Sequence, residues 1–141
     1  MGDTRQPLPL LPWTTALQGS AFSHTHRYRG CTVLAFHGDI DLVAAPVIRP
    51  QLDAATADLL PRVVLDLRAA TFIDATALGL LCRARARVRQ SGGRLALVCT
   101  CPWHRRILAA ASLTQALNCA TTLDQACATV LMREPGSPNA A

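Results

Sequence analysis

The chain has 141 residues, half of them hydrophobic, which is enough to bury one sizeable core and fits a single domain with tails. All fourteen of its basic residues are arginine, which excludes lysine Schiff-base chemistry and P-loop phosphate binding. The net charge of +5 comes with no basic run interleaved with aromatic residues and no nucleic-acid motif, so direct nucleic-acid binding is not expected.

Residues 1–20 read as a flexible N-terminal tail broken by Pro7, Pro9 and Pro12. The tail has no basic region followed by a continuous apolar core, so it is not a signal peptide. Its apolar piece, Leu8-Pro9-Leu10-Leu11-Pro12-Trp13, suits packing on its own domain or on a partner. The domain is expected over residues 21–132. Ala21 to Tyr28 mixes polar and apolar residues as an edge strand does, Arg29-Gly30 is a turn, and Cys31 to Phe36 is a buried strand, so the two strands form a hairpin. His24 and His26, two residues apart, share a strand face; with His37 they read as surface residues rather than a metal site.

Gly38-Asp39-Ile40-Asp41 ends the second strand. Val43 to Leu60 reads as an amphipathic helix with Val47, Ile48, Leu52, Ala55 and Leu59 turned inward. Pro46 is acceptable in its first turn, whereas Pro50 implies a bend or a late start. By its residues alone, Asp41 is a cap or turn residue.

Pro61 opens the central strand. Val63-Val64-Leu65-Asp66-Leu67 is β-branched and apolar, as a strand covered on both faces should be. A short loop follows, then a second apolar anchor at Phe72-Ile73. Asp74 is a good N-cap, and a helix runs from there to Gln90, with Ala77, Leu81, Ala84 and Val88 as its apolar stripe and Leu78 and Leu80 on the edges. It stops at Ser91-Gly92-Gly93. Thr76 falls in the first turn, where free N–H groups and the helix dipole favour an anion. It is either an ordinary first-turn polar residue or a hydroxyl placed to carry a phosphate. Arg83 with Arg87, and Arg85 with Arg89, form i, i+4 pairs with no acid on the same helix. They make either a solvated charged face or a docking surface for an acidic partner.

Arg94 to Cys99 is a further strand, Pro102 to Ala111 a short helix, Leu117 to Ala120 a short last strand, and Thr122 to Met132 the final helix, capped by Thr122 with Leu123, Ala126 and Val130 inward. Residues 133–141 read as a disordered C-terminal tail. The order ββαβαβαβα predicts an α/β fold: a mixed, mostly parallel sheet of about four or five strands with about four helices and right-handed crossovers.

Cys31, Cys82, Cys99, Cys101, Cys119 and Cys127 include no Cys-x-x-Cys pair and read as small apolar residues in a reducing compartment. No segment approaches the roughly 20 apolar residues of a membrane span, so a cytoplasmic protein is expected. There is no Ser-His-Asp motif, nucleophile elbow or metal cluster, and the lack of lysine excludes a phosphorelay receiver. A binding protein without cofactor or metal is expected, not an enzyme.

Two motifs carry a resemblance. Asp66-Leu67 followed by Phe72-Ile73-Asp74-Ala75-Thr76-Ala77-Leu78-Gly79 is similar to the signature of STAS domains, and in particular of bacterial anti-sigma factor antagonists, whose pattern is an apolar strand and then Phe-(Ile/Met)-Asp-Ser-(Ser/Thr)-Gly-Leu-Gly. Gly38-Asp39-Ile40-Asp41 resembles that family's Gly-(Glu/Asp)-Leu-Asp. Ala75 stands where the family has its first Ser, and Ala77 where it has Gly. The resemblance spans about Ala21 to Met132. It implies the STAS fold and an anti-anti-sigma function: binding an anti-sigma factor that is a Ser/Thr protein kinase, which frees a sigma factor. Phosphorylation at Thr76 would end the binding, and a PP2C-type phosphatase would restore it. The resemblance places Asp41 beside the phosphorylation site. Asp41, Asp74, Ala75, Thr76, Ala77, Leu78, Arg83 and Arg87 are the expected partner-binding residues. A STAS subunit of a membrane ABC-type lipid transport complex has the same fold and is the alternative.

Overall fold

The computed structural model describes residues 18–19 and 21–132. The Leu8–Trp13 piece and most of both expected tails therefore lie outside the described residues. The apolar run Val63–Leu67 forms the middle of strand β4 (Arg62–Ile73), and the sheet is built outward from it. On one side stand β3 (Cys31–Ile40), β2 (Ser23–Tyr28) and β1 (Gln18–Gly19); on the other stand β5 (Arg94–Val98) and β6 (Cys119–Ala120). The spatial order is β1-β2-β3-β4-β5-β6, with β1, β2 and β3 antiparallel and β3 to β6 parallel. The connections carry α1 (Ala45–Ala55), α2 (Ala75–Gln90) and α3 (Pro102–Ala110), and α4 (Leu123–Leu131) follows β6. The expected ββαβαβαβα order holds, with one two-residue strand added before it from the segment assigned to the tail.

The two faces of the sheet are covered unequally. Leu34, Phe36, Val63, Leu65, Leu67, Leu95 and Leu97 pack beneath α1, α2 and α3 with Ile48, Leu52, Leu81, Ala84, Val88 and Leu108. On the opposite face Val33, Val64, Ala96 and Val98 meet Ala126, Cys127 and Val130 of α4. Alternate residues of β4 therefore bury on opposite sides, which is why its run is apolar without alternation. Beyond α4 that second face carries His24, His26, His37, Asp66 and Arg68. The rings of His24 and His26 lie 5.6 Å apart, and those of His24 and His37 5.7 Å apart.

Two expected elements change most. The loop after Leu67 is strand: β4 continues to Ile73 beside His37–Ile40 of β3. A register irregularity between Ala35 and His37 absorbs an extra β4 residue, and Asp66 Oδ1 accepts the Arg68 backbone N–H there at 3.0 Å. The helix expected from Val43 to Leu60 is limited to Ala45–Ala55, with Thr56 Oγ1 donating back to the Leu52 carbonyl at 2.9 Å. Leu59 is consequently beyond the helix and exposed, and Val47 sits off the Ile48–Leu52–Ala55 stripe and is also exposed. Pro50 lies inside α1, on its exposed side. The end of α2 is as expected: Ser91 is its C-cap and Gly92 takes φ +72°. A Cβ on Gly93 would lie 2.1 Å from the Pro61 carbonyl oxygen, so this turn demands glycine.

Candidate functional site

Ile40 and Ile73 are paired neighbours at the ends of the parallel strands β3 and β4. The next residue of each strand, Asp41 and Asp74, holds the start of the chain segment that follows. Asp41 Oδ1 accepts from Val43 N at 3.0 Å and Ala44 N at 3.1 Å, ahead of α1. Asp74 is the N-cap of α2, in extended conformation, and its Oδ1 accepts from Ala77 N at 3.1 Å. The two acids thus fix where both helices begin, at the edge of the sheet where open α/β folds present their sites.

Thr76 is the second residue of α2 and is half-buried. Its hydroxyl forms no hydrogen bond among the described residues, in contrast to Asp41 and Asp74. Ala75 beside it is exposed, and Leu78 is half-buried against the core. Ala77 is only 2% exposed and faces the core, so it is a packing residue and offers no side chain to a partner. Around Thr76 the same end of the sheet shows apolar side chains to solvent: Leu42 is 73%, Val43 74% and Phe72 47% exposed. Apolar side chains this exposed, gathered at one end of the molecule, are suited to a protein interface.

Thr76 also lines a groove of about 860 Å³ between α1 and α2, with Pro46, Arg49, Asp53, Gly79 and Arg83 among its walls. Here the reading of unbalanced arginines is corrected. Arg83 Nε and Nη2 donate to Asp53 Oδ1 and Oδ2, each at 2.8 Å. Arg87 Nε donates to Thr56 Oγ1 at 2.7 Å and its Nη2 to the Asp53 carbonyl at 3.0 Å. Arg85 Nε donates to the Ala116 carbonyl at 3.0 Å. No acid lies on α2, but α1 supplies one. Hydrogen bonding from Arg83 holds the Asp53 carboxyl below its ordinary pKa, assisted by Arg87 and Arg49, while burial opposes the shift.

Among the described residues no group of histidine, cysteine or acidic side chains is arranged to hold a metal ion. No helix among them is long and apolar enough to cross a membrane. All six cysteines are free: Cys31, Cys99 and Cys127 are buried, Cys101 and Cys119 partly so, and Cys82 is exposed.

The model of the STAS domain family matches residues 24–126. The chain belongs to the STAS domain family. Solved structures resemble this STAS domain over most of its length. An anti-sigma factor antagonist from Mycobacterium paratuberculosis is 28% identical, with a TM-score of 0.69 over 77% of this chain and 92% of that one. An anti-sigma-factor antagonist (STAS) domain protein from Planctomyces limnophilus is 18% identical, with a TM-score of 0.72 over 78% and 98%. The phosphorylated form of the Bacillus cell fate determinant SpoIIAA is 19% identical, with a TM-score of 0.57 over 73% and 94%; at such identity the likeness is one of fold. Comparison with curated proteins gives no match.

The STAS domain thus brings Asp41, Asp74, Ala75, Thr76 and Leu78 to one end of the sheet and sets Arg83 and Arg87 further along α2, engaged with α1. Sequence reasoning missed Asp53, Thr56 and Arg49. A signal was available: Asp53 and Arg83 are each the ninth residue of their helix, and the two helices leave adjacent parallel strands.

Proposed function

We propose that this STAS domain is an anti-sigma factor antagonist of the cytoplasm. It binds an anti-sigma factor of the Ser/Thr kinase type, thereby frees a sigma factor, and is switched off by phosphorylation of Thr76, with a PP2C-type phosphatase resetting it. The observation that carries this reading is Thr76 itself: a hydroxyl without a hydrogen-bond partner among the described residues, in the first turn of α2, beside the exposed Leu42, Val43 and Phe72. The likeness to the anti-sigma factor antagonist from Mycobacterium paratuberculosis supports the partner class. The kind of regulation rests on the place of Thr76 just after the Phe72-Ile73-Asp74 motif, at the N-terminus of α2.

The mechanism is electrostatic. A phosphate brings about −1.5 to −2 charges at pH 7. On the free protein the N–H groups of the first α2 turn and the helix dipole tolerate it. Within a complex it would be desolvated against the partner near Asp74 and Asp41, and a loss of about 3 kcal/mol weakens affinity about a hundredfold. The protein acts by occupying the partner, not by catalysis. The test is incubation with the anti-sigma kinase and ATP, followed by intact mass and peptide mapping. One phosphate on Thr76, with release from the complex, is the expected result. Absence of phosphate from Thr76 after turnover of ATP by a competent kinase overturns it.

A further inference from the structure

We infer that Arg49 is the receiver of the Thr76 phosphate: the modified side chain folds across the α1–α2 groove onto the Arg49 guanidinium. This inference deepens the switch proposed for Thr76 by naming the group that meets the phosphate.

The argument starts from the register of the two helices. α1 begins at Ala45 and α2 at Ala75, and they follow β3 and β4, whose last residues Ile40 and Ile73 are paired. Both helices therefore leave the same end of the sheet and run the same way. Their depths are tied by Asp53 and Arg83, bonded at 2.8 Å through both oxygens. One turn back toward the helix starts, Arg49 on α1 stands level with Gly79 on α2, since each precedes its member of that pair by four residues. Thr76 is three residues earlier, about 4.5 Å along the axis at 1.5 Å per residue.

Three features make the site suited to a phosphate. Helical side chains lean toward the N-terminus of their helix, which directs Arg49 from the level of Gly79 toward that of Thr76. Gly79 leaves the space between them clear: a Cβ added there would meet nothing within 4 Å. Arg49 also has no direct partner among the described residues, although its charge is felt by Asp53. Arg83 and Arg87 are held by Asp53 and Thr56, whereas Arg49 makes no hydrogen bond or ion pair among the described residues. Thr76, Gly79 and Arg49 line the same groove. A planar guanidinium can offer a phosphate two parallel N–H donors, which an ammonium cannot.

Two consequences follow. The phosphorylated state of the free protein is favoured by a contact that the unmodified hydroxyl cannot make. The phosphate is also drawn toward α1, over the groove.

The test installs phosphothreonine directly at position 76 of the full chain by nonsense suppression, so that it does not depend on whether any kinase recognises the protein. The phosphorus NMR signal is followed through its second ionisation, ordinarily near pH 6. With Arg49 present the midpoint should fall by about half a unit or more, because a nearby cation favours the dianion. Arg49→Ala should return most of that shift, Arg49→Lys should retain part of it, and Arg85→Ala, which removes a charge bonded to the Ala116 carbonyl outside this groove, should change it little. An equal midpoint in wild type and Arg49→Ala means that the helix terminus alone receives the phosphate, and overturns the inference. A larger response to Arg85→Ala than to Arg49→Ala overturns it as well. Failure of the anti-sigma kinase to modify Thr76 would sink the proposed switch and leave this measurement intact.

Discussion

Asp53 accepts two 2.8 Å hydrogen bonds from Arg83, and with the Arg87 bonds to Thr56 and the Asp53 carbonyl this contact holds α1 to α2 at equal depth. The pair sits on the wall of the groove that also contains Thr76. It is therefore a spacer for the candidate site as well as a link between helices. Asp53→Ala should lower the melting temperature modestly, and Arg83→Ala on top of it should add little, because each removes the same interaction. Because the folded-state pKa of Asp53 is lowered from 3.8, its contribution is present above that value and is lost as pH falls through the folded pKa. Thermal denaturation between pH 5 and 2.5 checks this: the wild type should lose stability over acid pH more steeply than Asp53→Asn.

The two acids at the strand ends are separable in the same way. Asp74→Ala removes the N-cap of α2 and should destabilise the fold by about 1 kcal/mol. Asp41→Asn retains an acceptor for Val43 and Ala44 and should leave the denaturation midpoint nearly unchanged. If Asp41→Asn nevertheless alters partner binding or phosphorylation, the charge has a role in recognition; an effect on melting alone assigns Asp41 to structure.

Acid should act on the histidine face before it acts on Asp53. The pKa of His26 is lowered by burial first and by His24 second, with Arg68 adding to the effect and Asp66 opposing it; His37 completes the cluster through its ring contact with His24. Burial also lowers His104, which packs inside α3. Nδ1 of both His26 and His104 is buried without a hydrogen-bond partner among the described residues. In the unfolded chain these rings take up protons near pH 6.5, while in the folded chain they resist until lower pH, so the folded state loses stability as pH falls below about 6.5. Urea titrations at pH 7.5 and 5.5 should show the loss, and His26→Gln with His104→Gln should reduce it. Equal pH dependence in wild type and the double variant would show that other groups are responsible.

Thiol chemistry should follow burial. Burial pushes Cys99 up to about 11 and Cys127 up to about 12, the latter also through its neighbour Cys31. Cys82 alone of the six is fully on the surface. A brief iodoacetamide pulse at pH 7.5 should label Cys82 first, with Cys31, Cys99 and Cys127 reacting only after unfolding. Early labelling of Cys127 would contradict the packing of α4 against β3.

Much of this architecture could be read from local pattern. The Val63–Leu67 run, the Asp74 cap and the Ala77–Leu81–Ala84–Val88 stripe each state their structure within a few residues, because burial on a strand and capping on a helix are local demands. What could not be read depends on neighbours distant in sequence. Strand β4 extends through Arg68–Thr71 because β3 continues alongside it, and Asp66 supplies the acceptor that Arg68 N would otherwise lack. Leu59 looked like a helix residue by spacing, and only the end of α1 at Ala55 leaves it in solvent. The arginines of α2 looked unbalanced because their acid, Asp53, is on another helix 30 residues away. His37 joins His24 through strand pairing, not through any spacing visible in the chain.

The most direct measurement is an affinity capture from a lysate of the native cells with Thr76→Ala and Thr76→Glu as parallel baits, the captured proteins and the state of Thr76 in the wild type being identified by mass spectrometry. The account predicts that an anti-sigma factor kinase is retained by Thr76→Ala, is reduced about a hundredfold with Thr76→Glu in line with a loss of about 3 kcal/mol, and that a fraction of wild-type Thr76 carries phosphate. Equal capture of a transporter ATPase or permease by both baits, with Thr76 unmodified, would contradict it and make the chain a constitutive subunit of a transport complex.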